Sequence, residues 1–567
     1  MKKAQWLLVV FLVVIAAFAL AACGGGSPPP AQPAPSSQPE AVTPTTTPPP
    51  AEVPQELTFA SLSVPGIDPQ KFDSSPEYVV MKGFGEGLVR TWQGKINPGM
   101  AESWEVSDDN MTMTFHIRKD ACWSDGSPLT ANDFVYSFRR LADPDEPKDY
   151  NWVLDEITNY EAIANGDMPK EALGVEAPDD YTFIIHFRTP APYYLGFLDM
   201  PPFFPTKQEW VEKYGDKYAS SADTIIGNGP FKLADYRVDE KVVMVPNENY
   251  WNKDAIKLQK VTILIVGDRE TGFSLFESGQ VDWSYMPEAI APNYLNNPSA
   301  MPEGTSAYTY KSGAVDWFCI NIASKTNPIL GNQDFRLALN YALDREEYID
   351  ISSAGLYTPA TRFVLPTVSG VNKPYCEEYP IDVFKTTSEM DKAQEHLQKA
   401  MDTMGISDPS QISFTITIGD NTPKAIGENC QDQWTRKLGI KVDIAVVPYR
   451  AMLKNRVDGN FDLVYAGWMP DYDDPYTYLG YFMSGNPQNG GKYNNPRYDE
   501  LVGTANNFAD QATRLSMYAE AEQLLLSEAA IVPLQVREVP AAIKNNLKNF
   551  VHFYLGMEQD YTYAYFE

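Results

Sequence analysis

Hydrophobic and polar positions divide this chain into three regimes. An unbroken apolar run from Trp6 to Leu20 follows Lys2 and Lys3; from Gly24 to about Pro54 no apolar period exists; beyond residue 55 alternating and helical periods interleave to the end. The first run, with its charged start and the small residues that close it, reads as a secretory signal over residues 1–22. The second regime is Gly, Pro, Ser, Thr and Ala, which cannot bury a core. Roughly thirty such residues favour extended polyproline II at about 3.1 Å per residue and read as a spacer. No second long apolar run follows, so no transmembrane helix is expected.

In the third regime, alternation predicts strands at Glu56 to Ala60, Thr112 to Ile117, Tyr181 to Phe187 and Val261 to Val266. Helical spacing predicts Asn132 to Leu141, with Thr130 as N-cap, and Asp334 to Leu343. Leu515, Tyr518, Ala521 and Leu525 share one helical face, ahead of an apolar strand from Ala530 to Val536. From Gln433 to Pro470 a helix stops at Leu438-Gly439, a strand runs from Ile440 to Val447, a helix from Tyr449 to Val457 stops at Asp458-Gly459, and a strand runs from Phe461 to Gly467. Strands separated by single helices predict a βαβ unit with parallel pairing. Residues Gly467 to Tyr472 then follow a strand's carboxyl end, where open α/β sheets bind ligands.

Composition narrows the function. About 510 residues beyond the spacer exceed one core, so two or more lobes are expected. A formal charge of -30 excludes nucleic acid as a partner, because phosphate binding needs an excess of Lys and Arg. Aromatic residues make up 13% of the chain, enough for both cores and ligand-lining surfaces. Cys23, Cys122, Cys319, Cys376 and Cys430 are too widely spaced for a zinc motif. A disulfide is permitted outside the cell, and Cys376 with Cys430 is the favoured pair. His116, His186, His396 and His552 are scattered and read as strand or surface residues, so neither metal nor cofactor is expected. No Gly-x-Ser-x-Gly, His-Glu-x-x-His or Walker sequence occurs, which argues against an enzyme.

Leu20-Ala21-Ala22-Cys23 resembles the lipobox of bacterial lipoproteins, in which cleavage leaves a cysteine that carries the lipid. Two or three acyl chains make a stable anchor. Further on stand Ala101-Glu102-Ser103-Trp104, Phe115-His116-Ile117-Arg118, Trp123-Ser124-Asp125-Gly126-Ser127-Pro128-Leu129-Thr130-Ala131-Asn132-Asp133-Phe134 and Arg139-Arg140-Leu141-Ala142-Asp143-Pro144. Gly227-Asn228-Gly229-Pro230-Phe231, Asn249-Tyr250-Trp251, Ser278-Gly279-Gln280-Val281-Asp282 and Phe335-Arg336-Leu337-Ala338-Leu339 continue the pattern. It resembles the bacterial oligopeptide- and dipeptide-binding lipoproteins, solute receptors of ABC importers in the peptide and nickel class. By themselves these words are turns, bends and a buried helix face; they mark the fold rather than the ligand site.

The resemblance implies an α/β, two-lobed clamshell of the periplasmic-binding-protein kind, in its large class with an extra domain. Three domains follow a signal at 1–22 and a linker at 23–54 that starts with lipidated Cys23. Domain I is 55–85 plus 216–312 plus 537–567, domain II is 86–215, and domain III is 313–536. It also implies a peptide clasped between lobes, paired through its main chain, with its α-ammonium on an aspartate. Asp471 stands at that position, although by residue type alone it is equally a solvated turn residue beside Asp473 and Asp474. Backbone pairing tolerates any sequence, while a buried carboxylate sets the register.

By the same correspondence Gly467 and Met469 pair with the peptide from one side, and Ser74 and Ser75 lie opposite. Trp468 either touches ligand or packs within its lobe. Two departures stand out. Tyr465 occupies the place of an arginine that meets the peptide carboxylate in some oligopeptide receptors, and Pro470 removes a backbone donor beside Asp471. The expected protein is a monomeric receptor on the extracytoplasmic face, tethered through Cys23, that closes on ligand and presents it to an ABC permease. Receptors of the same fold for an oligosaccharide, a nickel chelate or haem, and an adhesin or signalling role, are the alternatives.

Overall fold

The computed structural model describes residues 53–71, 74–92, 95–146, 150–553 and 559–567. The signal segment, Cys23 and nearly all of the spacer lie outside them. Alternation becomes strand where it is expected, at Glu56–Ser61, Thr112–Ile117, Thr182–His186 and Lys260–Ile265. In Thr112–Ile117 the side chains of Met113, Phe115 and Ile117 are buried, while Thr112, Thr114 and His116 keep partial exposure. Strands Ala101–Val106, Thr112–Ile117, Thr182–His186 and Val175–Asp179, in that order, form an antiparallel sheet. The helix Ala131–Leu141 covers it, placing Phe134 and Phe138 at 5.7 and 5.2 Å from Phe183.

Thr130 caps that helix. Its backbone N–H and its hydroxyl donate to the Asp133 carboxylate at 2.8 and 3.2 Å, a reciprocal cap that settles where the helix begins. Thr130→Ala is expected to cost about 1 kcal/mol, read as a lowered denaturant midpoint.

The larger sheet has eleven strands. From one edge it runs Lys441–Val447, Ser413–Gly419, Leu463–Trp468, Thr305–Ile320, Ile531–Lys544, Trp283–Tyr285, Glu56–Ser61, Lys260–Ile265, Lys241–Pro246 and Phe231–Arg237, with Thr358–Pro359 attached to Ile531–Lys544. The helices Lys424–Leu438 and Tyr449–Asp458 stop at Gly439 and Gly459, whose φ angles of 72° and 74° suit glycine. The βαβ expectation is corrected in one respect. Lys441–Val447 and Leu463–Trp468 do not pair with each other; Ser413–Gly419 lies between them, parallel to both. On its far side Leu463–Trp468 pairs antiparallel with Thr305–Ile320. The apolar strand predicted to end at Val536 continues to Lys544, because antiparallel pairing with Thr305–Ile320 carries it on.

Apolar cores gather around these sheets. One holds Phe59, Trp123, Phe134, Phe183 and Trp283; others, built from residues between 315 and 536, hold Trp317, Phe363 and Tyr518, or Phe414 and Trp434. Leu515, Tyr518, Ala521 and Leu525 are fully buried on the helix Gln511–Ser527, as their spacing requires. The Cys376–Cys430 pairing is overturned: the four described cysteines are free. Cys430 is buried beside Trp434 in one core, whereas Cys376 packs on another and donates its thiol to the Val364 carbonyl at 3.3 Å. Each histidine has a local partner: Glu105 near His116, Glu176 for His186, Asp334 for His396 and Tyr308 for His552.

Candidate functional site

The strand Leu463–Trp468 is paired on both edges only at its start. Leu463 and Val464 face Ile416 and Thr417, and from Tyr465 to Trp468 no described strand continues on that side. The opposite edge stays paired, Gly467 against Asp316 and Trp468 against Val315. Asp316, wholly buried, accepts two hydrogen bonds from Arg537 at 2.8 and 2.7 Å and one from Gln535 at 2.8 Å. A Cβ on Gly467 would lie 2.6 Å from Asp316 Oδ1 and 2.9 Å from Arg537 Nη2. The ion pair therefore fills the space above this residue, which explains glycine there.

The open strand edge lines a cavity of about 950 Å³, together with Arg269, Arg456 and Arg537. A second cavity of about 640 Å³ holds Asp471, Asp155, Glu156 and an aromatic wall that includes Trp152, Tyr193 and Phe197. Trp468 borders both, its indole standing between them. Its walls are drawn from residues distant in sequence: 152–197, 269–314, 351–357, 421–488 and 535–539.

Asp471 differs from its acidic neighbours. Asp474 pairs with Arg514 at 2.6 Å and Asp473 accepts from the Ser369 N–H at 2.8 Å, whereas Asp471 has no cation beside it among the described residues. It is partly exposed to the cleft but enclosed by protein, and desolvation pushes its carboxyl up to about 7. Tyr472, the next residue, stacks on Tyr193 with centroids 5.1 Å apart and packs on Phe197 at 4.4 Å. That contact clamps the turn against the segment 152–197.

Of the residues expected at the site, Tyr465, Gly467, Trp468 and Met469 line the larger cavity, and Asp471 with Trp468 lines the smaller. Trp468 packs at 5.4 Å from Tyr481 and also borders both cavities. Tyr465 is buried, its hydroxyl 3.4 Å from Gln535 Nε2. Ser74 and Ser75 line neither cavity; Ser74 caps the helix Ser75–Phe84, with its N–H donating to Glu77 at 3.2 Å. The three arginines and the Trp152 to Phe197 wall were not foreseen. For Arg537 a signal existed, since its partner Asp316 interrupts the apolar run Val315 to Ile320 and so demanded a buried counter-charge.

No group of three or more His, Cys, Asp or Glu among the described residues is placed to hold a metal ion, and no described helix is long and apolar enough to cross a membrane. Comparison with known proteins bears on the cleft directly. The dipeptide-binding protein DppE of Bacillus subtilis is 32% identical over 451 residues, 79% of this chain and 80% of the relative. Among solved structures, the unliganded open form of the periplasmic murein tripeptide binding protein MppA superposes with a TM-score of 0.79 at 27% identity, covering 90% of this chain and 97% of that one. OppA of Listeria monocytogenes bound to peptide gives 0.66 at 28% identity, covering 91% and 99%. The model of the bacterial extracellular solute-binding proteins, family 5, matches residues 95–490. A match over most of the chain, on a fold shared with such receptors over 90% of it, makes this protein a member of that family of solute-binding proteins.

Proposed function

We propose that this protein is a lipid-anchored peptide receptor that closes its lobes on an extended peptide and presents it to an ABC permease for uptake. The observation that carries the reading is the pairing of an open strand edge, Tyr465 to Trp468, with a desolvated, uncompensated carboxylate at Asp471 three residues beyond it. An edge of unused N–H and C=O groups accepts any peptide main chain, and a carboxylate without a cation waits for an amine. Relatives named for dipeptide and oligopeptide binding agree with this.

The lobes divide as 55–85, 86–215, 216–312 and 537–567 on one side of the cleft and 313–536 on the other. The separate cores within 315–536 support that division. The better superposition on an unliganded open form than on a peptide-bound one supports hinge closure as the response to ligand. Ser74 and Ser75 meet the ligand only in the closed state. In this reading the receptor works as a monomer.

Mass spectrometry of whatever co-purifies from a gentle preparation tests the ligand class. A ladder of short peptides is expected; a hexose series would instead establish an oligosaccharide receptor, which the aromatic wall would also suit. Cys23 is the anchor. Cys23→Ser is expected to move the protein from the detergent phase to the aqueous phase on partitioning, with peptide affinity unchanged.

A further inference from the structure

We propose that the smaller cavity receives the side chain of the ligand's first residue and selects a cationic one, lysine or arginine. This rests on the reading that Asp471 holds the α-ammonium, and adds to it a preference among peptides. With the ammonium on Asp471, the first Cα sits at the cavity mouth, and its side chain has to project within one residue's reach of that carboxylate. The space, about 640 Å³, is far more than an ammonium group requires.

The lining is one-sided in charge. Asp155, Glu156 and Asp471 line the cavity and no described lysine or arginine does, whereas the larger cavity mixes Arg269, Arg456 and Arg537 with Glu288 and Glu538. Glu156 is partly committed: it accepts from Thr189 and from the Tyr193 hydroxyl at 3.2 Å, and Arg188 stands 3.8 Å away behind it. Asp155 is exposed; Arg188, which donates to its backbone carbonyl, favours its ionised form without closing an ion pair among the described residues. Beside these carboxylates stand Trp152, Tyr193 and Tyr476; Tyr193 is buried and stacked on Tyr472, so the indole of Trp152 is the aromatic surface open to a cation. Trp152 is 38% exposed and packs against Tyr150 at 5.8 Å and edge-on to Phe197 at 6.0 Å. An indole left open beside carboxylates is a receptor surface for a lysine stem or a guanidinium plane.

The test is calorimetry of the full chain with three tripeptides that share a free amino terminus: Lys-Ala-Ala, Ala-Ala-Ala and Glu-Ala-Ala. Lys-Ala-Ala is expected to bind about tenfold more tightly than Ala-Ala-Ala and about a hundredfold more tightly than Glu-Ala-Ala. In Asp155→Asn the ratio of Lys-first to Glu-first should fall below tenfold, and in Trp152→Ala the Lys-first advantage over Ala-first should fall below threefold. The Trp152 variant serves alone if the Asp155 variant does not fold. Three affinities within threefold of one another in the native chain would overturn the proposal while leaving the peptide receptor standing, as would ratios unchanged in the variants. If none of the three binds, it is the peptide reading itself that fails, and this preference with it.

Discussion

Asp471→Asn is expected to weaken peptides that carry a free amino terminus by about thirtyfold to several thousandfold, and N-acetylated peptides hardly at all. Removing one partner of a desolvated charge pair costs about 2–5 kcal/mol, and each 1.4 kcal/mol is tenfold in affinity. The amide keeps the shape of the carboxylate and loses only its charge, so the loss should track the ligand's ammonium. Calorimetry with matched free and acetylated peptides measures this, and equal losses for both would remove Asp471 from the role. The unliganded protein should respond in the opposite direction. A carboxyl raised to about 7 by burial is destabilising in its charged form. At pH 8 the variant should therefore unfold later than the native chain, by roughly 1–3 kcal/mol once partial exposure is allowed for. The difference should shrink as pH falls and vanish only below about pH 3, where the carboxyl is protonated in both folded and unfolded chains. Function here is gained by holding a charge where the fold alone disfavours it.

The same group makes binding depend on pH. Ligand ammonium recognises the ionised form of Asp471, which in the empty cleft is the minor form below about pH 7. Affinity for free-amino peptides should fall about tenfold per unit as pH drops below 7, reaching about a hundredfold loss at pH 5. Above about pH 8 it should fall again as the peptide amine, with an ordinary value near 7.7–8.0, loses its proton. An optimum between the two follows, and the complex should form at pH 6 with net release of a proton. N-acetylated peptides should show neither limb. A flat profile for both ligand types between pH 5 and 7 would mean that no titrating carboxylate meets the amine.

How far these residues could be read before folding differs from one to the next. The helix stop at Asp458-Gly459 and the end of the next strand at Gly467 are local events, set by a left-handed glycine and by alternation, and both stand where expected. That Ser413–Gly419 inserts between the two neighbouring strands is a matter of which edges meet, and no local pattern carries it. Asp316 and Arg537 are 221 residues apart, and their contact closes the floor of the cleft above Gly467. Tyr472 looked like part of an acidic turn until Tyr193 and Phe197 were found against it.

By itself the sequence predicts an export signal, a spacer and no nucleic-acid partner, and it determined the nature of most elements and the position of one aspartate worth watching. All of these depend on residue type and spacing along a short stretch, where periodicity reports which side is buried. Tertiary structure alone decided that the strand edge beyond Tyr465 stays open, that one cavity mixes arginines with carboxylates while the other is anionic and aromatic, and that Asp471 lacks the counter-charge that Arg514 gives Asp474. Desolvation and charge balance are sums over everything packed around a group, and here the contributing residues run from Trp152 to Arg537.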